Sequence, residues 1–276
     1  MRKLALFISP HLDDAVFSCA GAIQRELAVG NRAVIATLFS HGSREHATRR
    51  SEDRAAAAML GAEPVHLGLR DAPWRHRYYQ GFREIVLGAA PGDSAEPVVA
   101  ALTRCIESQR PSVIYAPLAV GTHIDHRLAF EAARAVTAGT PTWFYEDRPY
   151  VLADGAAELR LQGLGIRAGE FDRSAFLATF RRLPHVRRYL PAGAERRVCE
   201  AAMLAACRDR AVGQARARSF PLSPDEARLA RAAAAAHASQ WKDFAGSERA
   251  WRRREARHAA RLGYRAPRAE RYWSLP

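Results

Sequence analysis

Along the first half of the chain, short uninterrupted apolar runs alternate with longer stretches in which apolar positions recur every three or four residues. The runs Leu4 to Ser9, Ala33 to Phe39, Pro64 to Leu67, Val113 to Pro117 and Thr142 to Tyr145 predict strands. They lack the polar alternation of a half-solvated strand, as expected when helices cover both faces of a parallel sheet. Between them, Ala15 to Leu27, Glu52 to Leu60, a segment near Glu96 to Gln109, and Asp125 to Val136 predict helices, the second stopped by Gly61. This alternation predicts an α/β fold with a doubly wound, Rossmann-like, mostly parallel sheet, whose ligand site lies at the carboxyl ends of the strands.

The second half reads differently. Ser174 to Tyr189, Ala194 to Arg210, Pro224 to His237 and Ser247 to Leu262 predict four helices. Residues 1–150 are therefore expected to form the core and residues 151–276 a mainly helical C-terminal extension packed on it, in one continuous domain. Charge follows the same division. Residues 1–150 carry 17 Lys+Arg against 16 Asp+Glu and the remainder 25 against 13, so +12 of the net +13 lies in the C-terminal part. Almost all of it is arginine on alanine-rich stretches, where a solvated helix face is the default, so nucleic acid is not expected as a partner. An anionic small-molecule substrate remains compatible with the excess.

No stretch approaches the roughly 18 apolar residues needed to cross a bilayer. Met1-Arg2-Lys3 followed by Leu4 to Ile8 imitates a secretion signal with Cys19 as lipid acceptor, but Asp13 and Asp14 fall inside it and the apolar run is too short. A cytoplasmic location is expected. Cys19, Cys105, Cys199 and Cys207 have neither metal-finger spacing nor a secretory context, and are read as buried small hydrophobes.

Candidate chemistry sits at two predicted strand ends. The first strand runs into Ser9-Pro10-His11-Leu12-Asp13-Asp14. No glycine occurs there until Gly21, which disfavours a dinucleotide. In its place stand one imidazole and two carboxylates; adjacent aspartates in a loop can point apart, so that one binds a metal and the other faces the metal's water. The fourth strand runs into Gly121-Thr122-His123-Ile124-Asp125-His126, where His123 and His126 can share one face of an opening helical turn. Parallel strands thus bring His, Asp and His to one rim, and three protein ligands leave a coordination position open, as in catalytic zinc sites.

These residues resemble a known family. SPHLDD is similar to the AHPDDE signature, and HIDH to the HxDH signature, of the LmbE-like or PIG-L deacetylases. Arg49-Arg50-Ser51-Glu52 with Leu60-Gly61 resembles the family's RxxE helix, His66 to Asp71 its LGLxD loop, and Tyr145 to Tyr150 a YEDxPY stretch. Ser239-Gln240 and Glu270 to Trp273 echo C-terminal pieces. The resemblance implies His11, Asp14 and His126 as ligands of Zn2+, or of another divalent metal such as Fe2+, and Asp13 as general base. It implies His123 stabilising the oxyanion or protonating the leaving amine, with Asp125 orienting its ring; on chemical grounds an imidazolium there would supply the electrostatic stabilisation. Arg49 and Asp71 match positions that hold sugar hydroxyls. Leu12 and Ala15 replace the usual Pro and Glu, and Gly121 stands where thiol-pathway members place a tyrosine.

The function so implied is a metal-dependent amide hydrolase removing an acetyl group from an N-acetyl amino sugar, in a natural-product or glycoconjugate pathway. Two alternatives stand beside it: a hydrolase of a non-sugar acylated amine, and a non-catalytic ligand-binding protein on the same fold. A mere binder has no use for Asp13 and His123 together beside the ligands. A serine hydrolase is disfavoured because no G-x-S-x-G elbow occurs.

Overall fold

The computed structural model describes residues 2–167, 169–205 and 213–276. β1 (Leu4–Ser9) leads into α1 (Asp14–Ala28), followed by β2 (Arg32–Thr37), α2 (Glu45–Leu60) and β3 (Glu63–His66). Two short helices, α3 (Ala72–Arg75) and α4 (Phe82–Leu87), precede α5 (Glu96–Gln109), β4 (Val113–Pro117), α6 (Ile124–Val136) and β5 (Thr142–Tyr145). A 3-10 turn at Tyr150–Leu152 opens the next stretch: α7 (Ala156–Gly163), β6 (Ile166–Arg167), α8 (Arg173–Phe180), α9 (Pro184–Tyr189) and α10 (Gly193–Leu204). The last elements are β7 (Gly213–Gln214), β8 (Arg216–Leu222), α11 (Pro224–Ala236), α12 (Ala238–Ala245), α13 (Glu248–Arg261) and β9 (Arg268–Ser274).

The central sheet has the order β3-β2-β1-β4-β5-β9-β8. Its first five strands are parallel, and β9 and β8 join antiparallel. β1 is buried on both faces: Leu4, Leu6 and Ile8 pack into one core layer, Ala5 and Phe7 into the other. That is why its sequence reads as one apolar run. α1, α2 and α11 pack together on one side, and α5 and α6 on the other. Strand order reverses between β1 and β4, and at such a switch point the following loops diverge and leave a crevice. The two candidate motifs leave the sheet at this place.

Four features differ from the sequence expectations. α2 begins at Glu45, not near Glu52, because its first turns carry polar residues and so show no apolar periodicity, although His46 is buried. The helix expected over Ser174 to Tyr189 is two helices, α8 and α9; Pro184 opens the second, where its missing N–H is no loss, and could not continue the first. The helix expected over Ala194 to Arg210 is seen as α10, which ends at Leu204; residues 206–210 of that expectation, Cys207 among them, lie outside the described residues. Finally, the C-terminal part supplies two strands of the sheet. β9 escapes a hydropathy reading because it buries Arg268 and Glu270: Glu270 accepts from the Gly21 and Ala22 amides and Tyr272 Oη, while Arg268 donates to Phe17 O and Glu270. Satisfied in this way, buried charges become tolerable. Cys19, Cys105 and Cys199 are buried and free, and no helix among the described residues is long and apolar enough to cross a membrane.

Candidate active site

The loop after β1 is pinned by Ser9, whose hydroxyl donates to His11 O (2.7 Å) and accepts from Ala15 N (3.0 Å). His11 N donates to Asp14 Oδ2 (2.8 Å), and Asp14 opens α1, where the helix dipole favours a carboxylate. After β4 the chain turns through Gly121, at φ 92°, before His123 caps α6. Only glycine serves at 121, since a Cβ would lie 2.4 Å from the Tyr150 ring.

Three side chains meet where the loops converge. His11 Nδ1 and His126 Nε2 lie 3.2 and 3.3 Å from Asp14 Oδ2. The outward nitrogens are also engaged: His11 Nε2 lies 3.1 Å from Asp125 Oδ2, and His126 Nδ1 lies 2.7 Å from Asp147 Oδ1. Each imidazole is thus held by a carboxylate behind it, the arrangement that fixes tautomer and ring orientation in metal-ligating histidines. Asp147 also accepts from Val120 N (2.8 Å), tying the end of β5 to the loop after β4. Asp125, wholly buried, accepts from Ala72 N (2.9 Å) and lies 2.6 Å from Arg75 Nη1; Arg75 in turn grips Asp93.

Around this centre lies a cavity of about 190 Å³, lined by His11, Asp13, Asp14, Arg49, Asp71 and His123 among others. Arg49 reaches Asp13 Oδ2 at 3.4 Å and Asp71 Oδ2 at 3.8 Å, long contacts, and its buried Nε has no hydrogen-bond partner among the described residues. Asp71 also lies 3.6 Å from His11 Nε2. The arginine excess is concentrated elsewhere. A groove lined by Arg231, Arg249, Arg252 and Arg253 shares no residue with this cavity, so the lining gives the anionic-substrate expectation no counterpart beyond Arg49.

The electrostatics call for a cation. Against the effect of burial, Asp71, Asp125 and Asp14 push His11 well above the ordinary imidazole range, and Asp14 and Asp147 push His126 up to about 9. Burial, then the charge of Asp14, pushes Asp13 up to about 7. Five buried aspartates, 13, 14, 71, 125 and 147, surround these rings, an excess of negative charge that a divalent ion would neutralise. The donor atoms of His11, Asp14 and His126 all lie within 4.8 Å of one another. His11, His123 and Asp125 satisfy the same distance, but there the Asp125 carboxylate is already taken by Ala72 and Arg75. The first set fits a metal better.

The sequence matches what the geometry leads to. Residues 6–137 fit the PIG-L family model, described as GlcNAc-PI de-N-acetylase. Residues 6–137 are a PIG-L domain. A 2'-N-acetylparomamine deacetylase of Streptomyces fradiae is 34% identical, in an alignment covering 54% of this chain and 58% of that protein. The chain thus spans less than two thirds of that relative's length. A protein of the same name from Niallia circulans is 26% identical, over 58% of this chain and 74% of its own. A teicoplanin deacetylase, solved in complex with teicoplanin, shares the fold with a TM-score of 0.67 at 19% identity, over 99% of this chain and 98% of its own.

The PIG-L domain does not complete the cavity. Pro149, Tyr150, Gln240 and Phe244, all beyond it, close the wall, and Asp147, also beyond it, backs His126. Asp147 had a readable signal, since it follows the strand beside β4; Arg75, in a four-residue helix without periodicity, had none. Two expectations for α6 are corrected. The Asp125 carboxylate faces His11, Ala72 and Arg75, and Asp125 meets the His123 side chain through its backbone, donating its N–H to Nδ1 (3.2 Å). That bond assigns the His123 proton to Nε2. Burial, then the neighbouring His11 and His126, hold its pKa well below the usual range. His123 is therefore a neutral donor and not an imidazolium.

Proposed function

We propose that the protein is a metal-dependent N-deacetylase acting on an N-acetylated amino sugar carried by a small natural product or glycoconjugate. The convergence of His11, Asp14 and His126 beside the Asp13 carboxylate, which is not one of the three donors, carries this reading. It is supported by the PIG-L domain, by a relative named for deacetylating 2'-N-acetylparomamine, and by a fold shared with a deacetylase solved in complex with teicoplanin.

His11, Asp14 and His126 would hold the ion, Zn2+ or another divalent metal such as Fe2+. When bound, the metal lowers the pKa of a water and polarises the amide carbonyl. Asp13 is the general base, collecting the water's proton as it attacks. His123 donates its Nε2–H toward the oxygen on which charge develops, a contribution of the order of 3 kcal/mol for one donor, and the proton collected by Asp13 goes on to the leaving amine. Arg49, with an unpaired Nε, and Asp71 take sugar hydroxyls. Asp125 and Asp147 keep the two ligand imidazoles aimed.

The test is to incubate the metal-loaded protein with a panel of N-acetylglucosaminides, nucleotide-linked and natural-product-linked ones included, and to detect free amine. Release that requires the metal supports the reading. A panel without any release, at metal occupancy near one per chain, removes it.

A further inference from the structure

A second hollow, of about 320 Å³, adjoins the catalytic cavity. Phe82, Ile85 and Val86 of α4 form one wall, and His185, Tyr189 and Phe244 the other. It shares His123, Tyr150 and Phe244 with the catalytic cavity but none of Arg49, Asp13 and Asp71. The two spaces therefore join on the His123 side, away from the carboxylates and Arg49.

The lining is a set of apolar side chains and rings at right angles. Tyr150 stands edge-on to His185 at 5.0 Å, and His185 edge-on to Phe244 at 5.4 Å. Val86 and His185 are buried, while Tyr189 at the rim is 53% exposed and Gln80 is exposed beside it. Neither nitrogen of His185 has a hydrogen-bond partner among the described residues. A buried imidazole left unpaired costs free energy, and here it borders a space large enough for a ligand group.

We propose that this hollow receives an apolar, ring-bearing aglycone attached to the amino sugar next to the acylated nitrogen, with His185 pairing one polar atom on it. The proposal rests on the deacetylase reading above. If Arg49 and Asp71 hold the hydroxyls on one side of the carbon bearing the amide, the glycosidic bond lies on its other side and directs the aglycone toward His123 and Tyr150. An acetyl methyl cannot account for a space of this volume. The exposed rim at Gln80 and Tyr189 lets a group larger than the hollow continue into solvent, as an aglycone would and a terminal acyl chain need not.

The experiment compares kcat/KM of the metal-loaded protein on four compounds: the methyl, phenyl and 2-naphthyl glycosides of N-acetylglucosamine, and the methyl glycoside of N-octanoylglucosamine. The aryl glycosides are expected to exceed the methyl glycoside by roughly tenfold. Ile85→Asn and, independently, the surface change Tyr189→Ala should bring the aryl values down to the methyl value while leaving the methyl glycoside unchanged. Equal values for aryl and methyl glycosides in the wild type overturn the proposal. So does a gain confined to the N-octanoyl compound, which would assign the hollow to the acyl chain. Turnover of the methyl glycoside shows that the deacetylase reading stands in either case, whereas absence of amine from all four compounds sinks that reading and this one with it.

Discussion

His126 Nδ1 and Asp147 Oδ1 lie 2.7 Å apart behind the cavity lining, and the second oxygen of Asp147 holds the Val120 amide. One carboxylate from the end of β5 thus fixes both a candidate metal ligand and the loop that delivers it. Removing such a partner commonly costs ten- to a hundredfold in metal affinity. Asp147→Ala is expected to weaken binding of the divalent ion by about that factor, measured by competition with a chelator, and His126→Ala by more. An Asp147→Ala protein holding the ion as tightly as wild type would detach this residue from the site.

Arg75 acts one step further out. Its guanidinium lies 2.6 Å from Asp125 Oδ1 and grips Asp93 through Nε and Nη2, while the other oxygen of Asp125 faces His11. Arg75→Met should leave the buried Asp125 charge uncompensated and let His11 drift. The expected result is a fall in kcat of at least tenfold, with weaker metal binding and little change in KM; Arg75→Lys should recover part of both. Unchanged metal affinity in Arg75→Met, together with a changed KM, would place Arg75 at the substrate instead.

His185 bears on acid stability. Burial, then the nearby Arg254 charge, lowers its pKa to about 3, against about 6.5 in an unfolded chain. As pH falls below about 6.5 the unfolded chain takes up a proton that the folded one refuses, so stability drops, with a limiting slope of roughly 1.4 kcal/mol per pH unit until the folded pKa is reached. Urea unfolding at pH 7 and pH 5 should show this loss in the wild type and a smaller one in His185→Phe. Identical losses in both proteins would mean that other groups dominate the window.

The parallel core was legible because β1, β2, β4 and β5 are fully apolar or nearly so, and the motif residues follow two of those strands directly. Arg49 and Asp71, distant in sequence, were reached only through the family resemblance; nothing in their local pattern marks them. β8 and β9 were not legible. β8 is a partly exposed edge strand carrying Pro221, and the buried Arg268 and Glu270 of β9 find their partners on α1, some 250 positions earlier in the chain. Pairing at that separation leaves no local trace. The direction of the Asp125 carboxylate was hidden for the same reason, because its partners Ala72 and Arg75 belong to α3, some 50 positions earlier in the chain.

In the proposed mechanism Asp13 takes the proton of the attacking water beside an ion held by His11, Asp14 and His126. The decisive measurement is the rate of amine release from an N-acetylglucosaminide by metal-loaded Asp13→Ala. Asp13 is 3% exposed and its carboxylate is not among the three donors, so the variant should retain about one ion per chain. Its turnover should fall by roughly 10² to 10⁴, the usual contribution of a general base. Turnover within a few-fold of wild type at full metal occupancy would remove Asp13 from the mechanism.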